Sequence, residues 1–379
     1  MDDLASLTQR LVEIPSHDDE TEAGDFIEDW LREETTASVE RDEHGNVIAR
    51  RGAGEESLAL VGHHDVVPPD DSQLDGGEYV AERRDGRLYG RGSADMKGAV
   101  AAAMRAFRDA DIGERDGEQC SVELVFVSFV GEELGGVGAR AAIEDGFAPD
   151  YAVVGEGSTG YSAPGVTDVA IAHKGRRGST ISVDGTAAHA SEPEAGENAI
   201  YRATAAVDAI REMDFPESTV LGHEVRGSIA VTEIAGGDAW NVIPDSCTVT
   251  VDERTVPGER APLGTLEELP GVNWSVDQDL PPMACRDEAF AELVLDVARE
   301  SHREETAPAV QTDTTPKPVV KPHATDAGWL AAAGTTCVVC GPAEPGEAHT
   351  DSESVSLAVL ERCERIYRHV AEEFSNSVP

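Results

Sequence analysis

Apolar residues recur at helical spacing over 4–14 and 22–34, with charged and polar residues between them, so both segments are predicted to be amphipathic helices. Short apolar runs follow at 58–62, 122–130 and 151–154, each alternating along the chain with a helical stretch. Ala99–Met104 continues as a helix after Lys97-Gly98, and Gly138–Ile143 starts another after Glu133. Buried strands separated by helices predict an α/β fold with a mostly parallel sheet flanked by helices. The texture changes near residue 177. Gly178–Val183, Ser228–Thr232 and Cys247–Val251 alternate as half-buried strands do, around a helix near 196–213. Beyond 285 the helical patterns at 287–301, 326–333 and 353–372, with a strand at 335–340, restore the first texture. The expected organisation is one domain in two parts, 1–176 and 285–379, closing around an inserted α+β domain at 177–284.

Charge narrows the partners. Against 30 Lys and Arg stand 74 Asp and Glu, a net charge of −44 that excludes nucleic acid and anionic membranes as partners. Lysine occurs only at 97, 174, 317 and 321. Because hydrophobic periodicity persists throughout, the acid is spread over a folded surface, whose self-repulsion is screened in concentrated salt by a Debye length of about 3 Å at 1 M. A salt-rich cytoplasm is the expected setting. The cysteines at 120, 247, 285, 337, 340 and 363 stand mostly in apolar runs and read as core residues. Cys337 and Cys340 form a lone C-x-x-C whose odd spacing turns them to opposite faces of a strand. The start of the chain has no basic n-region or apolar h-region, and no run of about 18 apolar residues is present, so a soluble cytoplasmic protein is expected.

Candidate chemistry gathers where the strand-like runs end. "GHHDVVP" (62–68) closes the run 58–61 and puts His63 and Asp65 on one face of an extended strand, with His64 on the other. An imidazole that ligates a metal passes its second N–H to an acceptor, the part Asp65 can play. Alone, the stretch reads equally as a solvated strand end. Asp95 in "GRGSADMKG", Glu132-Glu133 after Phe129-Val130 and Glu156 after Val153-Val154-Gly155 lie at the same kind of position, where ligands of open α/β sheets collect. Carboxylates so crowded repel unless divalent cations hold them ionised. His349, past the last strand and a Gly/Pro loop, adds a second imidazole. The set His63, Asp95, Glu133, Glu156 and His349 suits two zinc ions, with cobalt or manganese as substitutes. Asp95 is the natural bridge between two ions about 3.5–4 Å apart with a shared water. Glu132 points away from its ligating neighbour and is the candidate general base, although the Glu132-Glu133 pair alone also reads as a solvated helix N-terminus.

Seven segments in order, "GHHDVVP", "GRGSADMKG", "GEELGGVGA", "VGEGS", "GTAAHASEPEAGENAI", "GGDAWNVIPD" and "AHTDSES", resemble the two-zinc amidohydrolases that include acetylornithine deacetylase, succinyl-diaminopimelate desuccinylase, aminoacylase and carboxypeptidase G. The resemblance covers nearly the whole chain. It implies a catalytic domain interrupted by a smaller lid or dimerisation domain, often in a homodimer. It also implies His63, Asp95, Glu133, Glu156 and His349 as ligands, Asp65 as the group behind them, and Glu132 as the base. His189 matches a lid histidine that stabilises the tetrahedral oxyanion. Asn241 and Arg254 match lid positions associated with substrate; Arg254 either grips a carboxylate or sits in a surface ion pair. Two departures bear on the pocket: Gly131 stands where an Asp is common, and Gly157-Ser158 where Pro-Thr is frequent. His17, His44, His64, His173, His223, His302, His323 and His369 read as structural or surface residues.

The expected function is hydrolysis of an amide, an N-acyl amino acid of the N-acetylornithine or N-succinyl-diaminopimelate type. Rivals are a di- or tripeptidase or carboxypeptidase with the same chemistry, a hydrolase acting on carrier-linked lysine or ornithine, and a non-catalytic metal- or amino-acid-binding protein. The charge yields a first test: the melting temperature should rise steeply as KCl goes from about 0.1 M to about 3 M, and a flat profile in a thermal-denaturation series contradicts the salt-rich setting.

Overall fold

The computed structural model describes residues 3–113, 122–305 and 315–377. Packing divides the described chain into two units: the chain up to Ala172 with Ala284–Lys321 and the part from Thr325 on, and His173–Met283 with Pro322–Ala324. That last short contribution has no signal in the sequence pattern.

In the first unit a sheet runs, from one edge, through Ser38–Arg41, Val47–Gly52, Val122–Phe129, Glu56–His63, Tyr151–Val154, Thr336–Val339 and Val169–His173, and Pro318–Lys321 pairs with the last. Its four middle strands, Val122–Phe129 to Thr336–Val339, are mutually parallel, and the outer pairs beside them are antiparallel. The expected mostly parallel α/β sheet is thus what forms. Buried on both faces, the middle strands carry the near-continuous apolar runs seen in the sequence, such as Leu58–Val61. The helix Gly98–Asp109 packs on Glu56–His63 and on the long helix Leu357–Ser377. Its residues Ala99–Met104 are all buried, and alanine combines high helix propensity with close approach. Asp326–Ala333 packs on Thr336–Val339 and on the helix Val137–Glu144. Thr325 caps it by accepting the Ala327 amide, and Gly334, at φ 114°, ends it. The last helix begins later than the pattern at 353–372 implied. Ser354–Ser356 is instead a strand antiparallel to Arg87–Tyr89, with Ser354 and Val355 buried.

The second unit is α+β. Ser228–Gly236, Ser246–Arg254, Arg176–Asp184 and Val272–Leu280 form an antiparallel sheet in that order, covered by the helix Ala199–Arg211, which Asn198 caps through the amides of Ile200 and Tyr201. Alternate residues of the two central strands face the helix, so Ile181, Val183, Val249 and Val251 meet Ala199, Ala203 and Ile210 in one core. An ion pair lies inside this unit: Glu253 accepts from Arg177 Nε at 2.6 Å and from the Ala261 amide at 2.9 Å, while Arg177 also donates to the Ala261 carbonyl. Of the cysteines, 247, 285, 337, 340 and 363 are buried thiols outside any disulfide, as expected of core residues, and Cys120 lies outside the described residues. No helix of the described chain is long and apolar enough to cross a membrane.

Removing one partner of a buried pair leaves an uncompensated charge. Glu253→Ala should cost about 3–5 kcal/mol in urea unfolding, and the double change Arg177→Met, Glu253→Leu should recover most of it.

Candidate active site

Central strands that end beneath the site place His63, Glu132, Glu133 and Glu156. His63 is the final residue of Glu56–His63, Glu132 and Glu133 follow Val122–Phe129, and Glu156 follows Tyr151–Val154. Asp95 sits in the turn Ser93–Lys97, at a cis Asp95–Met96 peptide. His349 comes from the loop after Thr336–Val339 and holds a left-handed backbone, φ 61°.

The five candidates converge as two triads sharing one carboxylate. His63 Nε2 lies 3.1 Å from Asp95 Oδ1 and 3.5 Å from Glu156 Oε1. His349 Nε2 lies 3.1 Å from Asp95 Oδ2 and 2.8 Å from Glu133 Oε1. Within each triad the donor atoms are all within 4.8 Å of one another. Asp95 therefore turns one oxygen to each triad. Two imidazole nitrogens and three carboxylates in this arrangement fit a pair of divalent cations of the zinc class. Within the chain's own charges the imidazoles compensate the carboxylates. Burial opposes a charge on His63, but Asp65, Asp95 and Glu156 outweigh it and hold the imidazole well above its usual range. Hydrogen bonds that His349 donates to Asp95 and Glu133 push its imidazole up to about 10.

Asp65 does more than orient an imidazole. Its Oδ1 is 3.2 Å from His63 Nδ1, and the Asp65 carbonyl is also within 3.1 Å of that nitrogen. The same carboxylate accepts the backbone amides of Glu132 at 3.1 Å and of Glu133 at 3.0 Å. The His63 imidazole and the Glu132–Glu133 backbone are thus tied to one side chain. Glu132 itself belongs to neither triad, and burial, with Glu156, Asp326 and Asp95 near it, holds its carboxyl well above the usual range. The turn beneath it starts at Gly131, whose φ of 61° disfavours the Asp common there in the resembled family. Gly157 is likewise required: an added Cβ would stand 2.8 Å from the Ala343 carbonyl.

Three supporting residues escaped the sequence reading. Glu353, fully buried, accepts the amides of Ala94 at 3.0 Å and Asp95 at 3.2 Å and pairs with Arg91 at 2.5 Å, fixing the backbone that presents the shared carboxylate. Both stand inside quoted motifs, so proximity to Asp95 and His349 was the available signal. Lys321 donates to Glu156 Oε2 at 2.9 Å; its scarcity as a residue type was the only hint. Against burial, that ammonium draws the Glu156 carboxyl below its usual range.

His189, Asn241 and Arg254 belong to the second unit. His189 sits on a two-residue strand paired with Val242–Ile243, and the Asn241 carbonyl accepts the Ala190 amide, so His189 and Asn241 share one local structure. His189 Nδ1 lies 2.6 Å from Ser191 Oγ and accepts the Ser191 amide at 3.2 Å. Arg254 donates to Asp252 Oδ1 at 2.8 Å, the ion pair foreseen as its alternative. His64 is buried against Ser128 Oγ, and burial lowers it to about 3, in keeping with a structural role.

A family model described as peptidase family M20/M25/M40 matches residues 59–373. An acetylornithine deacetylase of Myxococcus xanthus is 30% identical over 354 residues, 89% of this chain and 85% of that protein. Among solved structures, the aminopeptidase PepT from Bacillus cereus superposes with a TM-score of 0.76 at 18% identity, covering 98% of this chain and 97% of that one. The YxeP protein of Bacillus subtilis, described as a dinuclear metal-binding peptidase of the M20 family, gives 0.70 at 16% identity, with 99% and 98% covered. These two structures speak for the fold.

Glu353 acts on the site through the Asp95 backbone. Glu353→Gln should weaken divalent-cation binding by about 10- to 100-fold in calorimetric titration, with the fold retained by circular dichroism.

Proposed function

Because the chain belongs to peptidase family M20/M25/M40, we propose that it is a two-zinc amidohydrolase that removes the acyl group from an N-acyl amino acid of the N-acetylornithine or N-succinyl-diaminopimelate type. The observation that carries this reading is the pair of donor triads sharing Asp95, with Glu132 beside them and outside both. The 30% identity to an acetylornithine deacetylase supports the choice of substrate class.

His63, Asp95 and Glu156 would hold one zinc, and Asp95, Glu133 and His349 the other, with cobalt or manganese as substitutes. When bound, the two cations supply Lewis acidity to a water and to the scissile carbonyl. The rest is the work of side chains. Asp65 fixes the His63 tautomer through Nδ1 and holds the Glu132 backbone. The Glu132 carboxylate takes a proton from the attacking water as the new C–O bond forms, then returns it to the departing nitrogen as C–N breaks. A base that must also deliver a proton benefits from the upward shift its burial produces. His189 is suited to donate to the oxyanion, and Asn241 and Arg254 to hold the substrate's polar ends.

A homodimer fits the second unit. Ser228–Gly236 is an edge strand with Ile234 exposed, and Tyr201 and Trp240 of the same unit are 76% and 96% exposed, a surface that a second copy would cover. Five buried thiols outside any disulfide among the described residues support a reducing cytoplasm, and the charge of −44 a salt-rich one.

Glu132→Gln should retain both cations, read by elemental analysis, while kcat falls by about 10²- to 10⁴-fold; unchanged turnover refutes the assigned base. In molar salt, a panel of N-acyl amino acids against di- and tripeptides should show the acyl amino acids cleaved faster, and exhaustive chelation should abolish both activities.

A further inference from the structure

Of four lysines in the chain, two are buried, Lys97 and Lys321. Lys97 gives its ammonium to the Ile14 carbonyl at 2.6 Å. Lys321 is used differently. It ends the strand Pro318–Lys321, and its Nζ lies 2.9 Å from Glu156 Oε2 with both side chains about nine-tenths buried. The other oxygen of Glu156, Oε1, faces His63 Nε2 at 3.5 Å and belongs to the donor triad.

Burying an ion pair seldom adds stability, since desolvation offsets the attraction. Within a cation site it also acts against the site's purpose. An ammonium beside one triad opposes a divalent cation there, and the same ammonium withholds a carboxylate oxygen that would otherwise chelate. The second triad, Asp95, Glu133 and His349, has no corresponding lysine at its carboxylate among the described residues.

We propose that Lys321 is a positioning residue that restricts Glu156 to a single donor oxygen, loosening the grip of the His63–Asp95–Glu156 triad so that a coordination position stays open for substrate. Catalytic zinc sites need such a position, whereas closed ones are structural. The inference rests on the two-cation reading above. Charge and donor count act in the same direction, so removing Lys321 tightens the cation. A lysine that merely anchored Glu156 would have the opposite effect, because its loss would scatter the ligands.

The full chain, stripped of metal by chelation, is titrated with Co2+ in molar KCl and followed by calorimetry and visible absorption, with His63→Ala identifying the step that belongs to this triad. Lys321→Met should bind Co2+ at that step at least about tenfold more tightly and show lower visible absorptivity, as an added donor oxygen raises the coordination number. Lys321→Arg should keep the original affinity, and Lys321→Gln, which retains a hydrogen bond without the charge, should fall between; it also serves if the methionine variant does not fold. Unchanged or weaker binding in the folded Met and Gln variants overturns the proposal. No Co2+ uptake by the unaltered chain would overturn the two-cation reading itself, an outcome distinct from the first.

Discussion

Like charges brought together at the end of a sheet are the constraint to which the rest of this structure answers. Glu133, Glu156 and the shared Asp95 converge within 4.8 Å of imidazole nitrogens in each triad, and Glu132 lies beside them. Carboxylates so placed stay ionised only if positive charge is supplied nearby. The chain supplies part of it itself, through His63, His349 and Lys321, in a molecule whose net charge is −44. On the two-cation reading proposed above, divalent cations at the same place would answer the remainder.

Backbone amides are what keep the cluster in register. Asp65 takes the amides of Glu132 and Glu133 while facing His63, and Glu353 takes those of Ala94 and Asp95. In each case a buried carboxylate acts on the main chain that presents another functional group. The imidazole of His63 and the Glu132–Glu133 backbone are then held together, as are Asp95 and the segment bearing His349. A site built this way tolerates little displacement, which suits chemistry that depends on the placement of a water between residues from five separate segments.

Much of this was legible in the sequence because the central strands are buried on both faces and end directly at chemistry. Apolar runs at 58–62, 122–130 and 151–154 marked three of them, and the polar residues just beyond named His63, Glu133 and Glu156. Strands lacking that signature passed unnoticed. Val47–Gly52 carries Arg50 and Arg51, which are compensated by Glu123 and the Arg108 carbonyl, and Val272–Leu280 is an edge strand with much of its length exposed. Lys321 and Arg91 were illegible for another reason: their partners stand 165 and 262 residues away, and no local pattern encodes such a meeting. The second unit's fold was readable from strand alternation, whereas Pro322–Ala324 joined it through packing alone.

The discontinuity of the first unit reaches back to its birth on the ribosome. Chains fold as they emerge, N-terminal portion first, yet Tyr151–Val154 waits for Thr336–Val339 to cover its open side, and His349 is made later still. Until then the nascent polypeptide offers only the half-built constellation of His63, Asp95, Glu133 and Glu156. One stretch of chain beyond the inserted unit therefore both closes the sheet beside Tyr151–Val154 and brings the last imidazole of the constellation.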